Sequence, residues 1–105
     1  MEVDVRTEEI ARKNDDFRIN GTSIHFTCGV IETGNKWEIL NEVRNFNDFS
    51  ESNNPWGERD FGSFNVNGTK VFWKIDYYDP DCKYFMDPLD PKCNRVLTVM
   101  LADEY

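Results

Sequence analysis

The sequence predicts an α+β fold, with two helices packed on one face of a four-stranded, mainly antiparallel sheet in the order α-β-α-β-β-β. Three observations carry this reading. An Asn67-Gly68 pair separates two alternating apolar runs in FGSFNVNGTKVFWKIDYY (61–78). Two upstream segments repeat apolar residues at helical spacing. The chain closes on a strongly apolar stretch, RVLTVMLA (95–102). Two short helices need a surface to bury against, and one face of a sheet provides it.

The hairpin is the firmest element. Asn-Gly suits a type I′ turn because both central residues need positive φ. Phe64 and Val66 point one way before it, and Val71, Trp73, Ile75 and Tyr77 share one face beyond it. Strands are therefore expected over 61–67 and 69–78. Val5, Ile10 and Ala11 give a short apolar face to a helix over 5–16, which Asn20-Gly21 closes. Ile24, Phe26 and Cys28 alternate with Ser23, His25 and Thr27, which predicts a half-buried strand over 22–30 with Cys28 as a small core residue. Asn35 and Glu38 have the spacing of a capping box, and Trp37, Leu40, Val43 and Phe46 form the buried stripe of a helix over 35–47. The final run reads as a central strand over 94–102.

Composition bounds the function. A chain of 105 residues is one domain spanning 1–105. With 39% apolar and 30% charged residues it is globular rather than disordered. No apolar run nears the roughly 20 residues that cross a bilayer. The start, MEVDV, has neither the basic nor the apolar region of a signal peptide, so a cytoplasmic location is expected. Three cysteines without CxxC spacing and a single histidine, His25, offer no zinc constellation. Cys82 and Cys93 end one loop and could approach each other, though a reducing compartment disfavours a disulfide. The net charge of −8 argues against direct nucleic-acid binding, which requires cations on phosphates, and against anionic membranes.

The charge is unevenly placed. Segment 48–60 carries −3 and segment 76–90 carries −4, so −7 of the −8 lies on two loops flanking one hairpin. Antiparallel strands bring Asp60 and Asp79 toward one end of the sheet. Clustered carboxylates there would face a basic partner surface; the plain alternative is a pair of solvated loops. Trp56, between Pro55 and Gly57, is either a cover on the core edge or an interface anchor. Tyr78 lies on the face of Lys74 and Asp76, and an aromatic among acids suits an arginine. The candidate partner-binding residues are therefore Asp48, Glu51, Trp56, Glu58, Asp60, Asp76, Tyr78, Asp79 and Asp81.

Two catalytic readings compete. Asp76, Asp79 and Asp81, with Asp60 or Glu58, could offer oxygen ligands to Mg²⁺ or Ca²⁺, but the loop lacks the glycine and terminal glutamate of an EF-hand. Glu58 paired with Asp60 or Asp76 could serve acid–base chemistry, which needs a cleft that a small flat sheet rarely forms. No catalytic residue, metal ligand or cofactor is assigned.

The blocks IARKNDDFR (10–18), TCGV (27–30), FNDFSESNNPWGERDFGSF (46–64), VFWKIDYYDPD (71–81) and RVLTVMLADEY (95–105) resemble a family of uncharacterised small bacterial proteins often carried on plasmids, phages and other mobile elements. The resemblance covers most of the chain and implies a bacterial host cytoplasm, with no activity to carry over. Mobile elements concentrate genes that disarm host defences. The expected function is thus a non-enzymatic inhibitor of the anti-CRISPR or anti-restriction kind, occupying the basic surface of a nucleic-acid-binding effector. A small carboxylate-based, metal-dependent hydrolase or nuclease is the alternative.

Overall fold

The computed structural model describes residues 4–50 and 56–105. The fold is α+β. Helix α1 spans Val5–Asn20, strand β1 Ile24–Phe26, helix α2 Cys28–Glu32 and helix α3 Lys36–Arg44. Strands β2, Phe61–Val66, β3, Thr69–Tyr78, and β4, Asn94–Leu101, follow, and a 3₁₀ turn over Ala102–Glu104 leads to Tyr105. The four strands lie in the order β1-β4-β3-β2.

The sheet is mixed, a correction to the mainly antiparallel expectation. β2 pairs β3 and β3 pairs β4 antiparallel, but β1 runs parallel to β4, with Ile24 opposite Leu97 and Phe26 opposite Val99. The element order is corrected as well, because a third helix, α2, stands where the second half of the first strand was expected. The reason lies at the opposite end of the chain. The Glu104 carboxylate accepts from Gly29 N at 3.0 Å and from Thr27 Oγ1 at 2.7 Å. A carboxylate at exposed backbone N–H groups favours a helix start, so the strand stops at Phe26 and Cys28 becomes exposed rather than core.

The hairpin forms as read. Asn67 has φ 50° and Gly68 φ 81°, and Phe61 to Val66 pair with Lys74 to Thr69 without a bulge. Val71, Trp73, Ile75, Tyr77, Leu97 and Val99 point toward the helices, where Ile10, Val30, Ile39, Leu40, Val43 and Phe46 meet them. Trp73 is fully buried and meets Phe46 edge-on, with ring centroids 5.4 Å apart. Gly62 lies opposite Trp73, and a Cβ there would come within 2.4 Å of the indole Nε1. Only glycine lets the large ring lie against β2.

Trp37 is not core. It is 67% exposed and meets Phe26 at 5.8 Å, with the Lys36 ammonium 5.1 Å from its ring. The first turn of α3 overhangs the edge strand β1, so correct helical spacing does not bring burial. Asn35 precedes α3 without a side-chain cap bond, so the capping box does not form. On α1, Val5 is exposed, and the buried stripe is Ile10, Ala11, Asn14 and Arg18. Arg18 lies 5.2 Å from the Phe49 ring centroid and 5.4 Å from that of Trp73, with Asp15 at 3.0 Å.

Among the described residues, the other face of the sheet carries no α-helix. It presents Phe61, Ser63, Phe72, Lys74, Asp76, Tyr78, Val96, Thr98 and His25, the alternate residues of the same registers. Tyr105 folds back over it, with ring centroids 6.3 Å from Phe61 and 5.4 Å from Phe72.

Candidate functional site

The segment entering β2 is held to α1. Arg59, at φ 52°, extends its guanidinium to Asp15, with Nε at 3.1 and 3.0 Å from the two carboxylate oxygens. Glu8 lies 3.5 Å from Arg59 Nη2. Fully buried Asn14 donates to the Glu58 carbonyl at 3.0 Å and to the Tyr77 hydroxyl at 2.8 Å. It accepts from Arg95 Nε at 2.8 Å. The Tyr77 hydroxyl in turn donates to Glu58 Oε1 at 2.8 Å. Burial holds that phenol protonated well above its ordinary range. Glu58 is therefore a strut tying the loop to β3. Asn14, the hub of the network, escaped the sequence reading; its signal was position, four residues after Ile10 and four before Arg18 on the buried stripe.

This anchoring fixes Asp60 and Trp56. The Asp60 carbonyl accepts from Ile75 N at 2.8 Å, which brings the residue beside Asp76. Burial, then the charges of Glu58 and Asp76, raise the Asp60 pKa. No cation stands within ion-pair distance of Asp60 among the described residues. Asp76 is matched by Lys74 at 3.0 Å. Asp60, Asp76, Lys74, Phe61, Trp56 and Tyr105 line a cavity of about 330 Å³. Trp56 is 79% exposed and Tyr105 77%. Trp56 is thus no cover on the core edge. Phe61, Lys74 and Tyr105 were missed as site residues, because only the register and the returning C-terminus bring them here.

The remaining described candidates are not among the residues that line this cavity. Asp79 Oδ1 accepts from Lys83 N at 2.8 Å and Tyr84 N at 3.2 Å, so it shapes the loop after β3. Asp81 is exposed at the tip of that loop. Tyr78 is half-buried opposite Asn94. Asp48 is exposed beyond α3, and Glu51 lies outside the described residues. Other acids of the second loop are also engaged: Asp87 accepts from Arg6 at 2.6 Å and Leu89 N at 2.8 Å, and Asp90 from Lys92 N at 2.8 Å. Much of that loop's charge therefore holds its own turns.

A cleft of about 580 Å³ between α1 and β4 is lined by Arg12, Lys13, Asp16 and Arg95. Arg95 is already bound to Asn14 and to the Pro88 carbonyl at 2.8 Å, and Arg12 lies 3.6 Å from Glu8. Cys28, Cys82 and Cys93 are free thiols. Among the described residues, no three His, Cys, Asp or Glu side chains converge as metal ligands, and no helix is long and apolar enough to cross a membrane.

A family model described as "Protein of unknown function (DUF3768)" matches residues 26–104. The chain belongs to the DUF3768 family. The match runs from the end of β1 through the 3₁₀ turn, so α1 and its Asn14 lie outside it. In this DUF3768 protein every cavity residue except Tyr105 falls within the matched region. No curated protein and no solved structure matches the chain.

Proposed function

We propose that this DUF3768 protein is a non-enzymatic binding protein that holds a basic surface of a protein partner against the face of its sheet opposite the helices. The observation that carries the reading is the cavity beside β2 and β3, where two strongly exposed aromatics, Trp56 and Tyr105, stand next to the carboxylates of Asp60 and Asp76. Exposed large aromatics ringed by charge are the composition of an interface anchor. The −8 net charge steers a cationic partner and repels nucleic acid. The concrete form is an anti-defence inhibitor, of anti-CRISPR or anti-restriction type, seated on a surface that otherwise binds nucleic acid. Its support is the charge and the resemblance to mobile-element proteins.

The test is capture from a bacterial lysate at low and high salt. Salt-sensitive capture of a nucleic-acid-binding protein is expected. Reversal of Asp60, Asp76 and Asp81 to lysine should abolish it by slowing association. Asp79 is left intact because it holds its loop. Trp56→Ala should instead speed dissociation, at a cost of ~2 kcal/mol. Full capture by the folded charge-reversed chain would refute the reading, as would divalent-dependent turnover of a phosphodiester.

A further inference from the structure

We infer that the cavity lined by Trp56, Phe61, Tyr105, Asp60 and Asp76 is a receptor for one arginine side chain of a protein partner. The inference rests on the binding reading above and names the group that enters.

Size comes first. About 330 Å³ lies at the lower end of the range for small-ligand pockets. It suits a single long side chain, not a dinucleotide or a folded element. Charge comes second. Lys74 and Asp76 are mutually paired at 3.0 Å, so among the described residues the charge of the lining left without an ion-pair partner is that of Asp60. Glu58 stands behind it and is committed to Tyr77. Burial and two like-charged neighbours make the ionised form of Asp60 costly, and an entering cation relieves that cost. Aromatic surface comes third. Trp56 and Tyr105 are left 79% and 77% exposed, although Tyr105 is already ordered against Phe61 and Phe72.

These features select arginine over the other occupants. A guanidinium is planar and weakly hydrated, stacks on aromatic faces and can bridge two carboxylates. A lysine ammonium is a strongly hydrated point charge and gains less from an aromatic wall. A second copy of the chain would bring another −8 to the same face. A nucleic acid would bring phosphates to Asp60.

The test titrates the isotopically labelled full chain with acetyl-Gly-Arg-Gly-amide at low ionic strength, followed by protein NMR. Saturable shifts are expected at the Trp56 indole N–H and at the amides of Phe61, Lys74 and Tyr105. The lysine twin of the peptide should bind at least fivefold more weakly. Asp60→Asn should lose affinity about tenfold while its spectrum elsewhere stays native, and Glu42→Gln on α3 should bind like the parent. Equal binding of the two peptides overturns the inference, as does undiminished affinity of Asp60→Asn or the absence of saturable shifts. Shifts confined to the loop after β3 also overturn it but leave the broader binding reading standing, since that reading is judged by salt-sensitive capture.

Discussion

At the residue scale, Asn14 and Asp60 hold opposite kinds of polar burial. Asn14 has both ends of its amide occupied, by Tyr77, the Glu58 carbonyl and Arg95. Truncation leaves those partners without it inside the fold, and an unsatisfied buried group costs about 1–3 kcal/mol. Asn14→Ala should therefore lower stability by ~2–3 kcal/mol in urea melts. Because the network holds the Trp56–Asp60 segment, the indole resonance of Trp56 should also move. Asp60 is half-buried with no cation at ion-pair distance among the described residues, and burial and its acidic neighbours raise its pKa above the ordinary carboxylate value. The folded chain thus holds that proton more tightly than the unfolded one. The stabilisation is complete below the unfolded pKa and is lost as pH rises through the folded pKa. Asp60→Asn should raise the melting temperature at pH 7 and flatten its decline above the carboxylate range. A lower melting temperature at pH 7 would mean that the charge has a partner in the free protein. The sequence showed both acids of the cavity, because acidity and position along a hairpin are local. It did not show Asn14, because an asparagine in a helix takes its meaning from what lies across the interface.

At the element scale, the hairpin and α2 follow different logics. The turn is written locally: Gly68 at φ 81° lies where a β-branched side chain is strained. Gly68→Val should cost about 1–2 kcal/mol, measured by urea denaturation, and an unchanged midpoint would mean the turn is made otherwise. Helix α2 depends on a remote residue, Glu104. Hydrogen bonds from Thr27, Leu101 and Gly29 hold that carboxylate below its usual pKa. Here the stabilisation is present above the unfolded pKa and lost as pH falls through the folded one. Glu104→Gln should lower the melting temperature at pH 7 and converge with the parent in acid. Alternation alone predicted a strand through Val30. Ile24 and Phe26 obey it, but Thr27 to Val30 answer to the Glu104 side-chain carboxylate. Trp37 fails for a related reason: its spacing is helical, but β1 is only three residues long and covers nothing beyond Phe26.

At the scale of the whole molecule, charge and layering act together. The helices cover one face of the sheet, and Tyr105 packs over part of the other. The −8 net charge should prevent binding of DNA or RNA by the protein alone at physiological salt. A gel shift at micromolar concentration would contradict that expectation. The concentration of acids in two loops was readable directly, yet it overstated the available surface. Asp79, Asp87 and Asp90 each accept backbone N–H groups of their own loop. Glu58 is bound to Tyr77.

The sequence on its own set the α+β class, the Asn67-Gly68 hairpin, the buried face of β3, the apolar strand β4 and the acidic balance. Each of these follows from short-range periodicity, turn stereochemistry or a count, which a chain carries whatever it packs against. Tertiary packing alone settled that β1 lies parallel to β4, that Thr27 starts a helix, that Asn14 ties four segments together and that Tyr105 returns to line a cavity with Trp56 and Asp60. Those features join residues up to about eighty positions apart, and only the packed sheet and its returning C-terminus bring such groups within bonding distance.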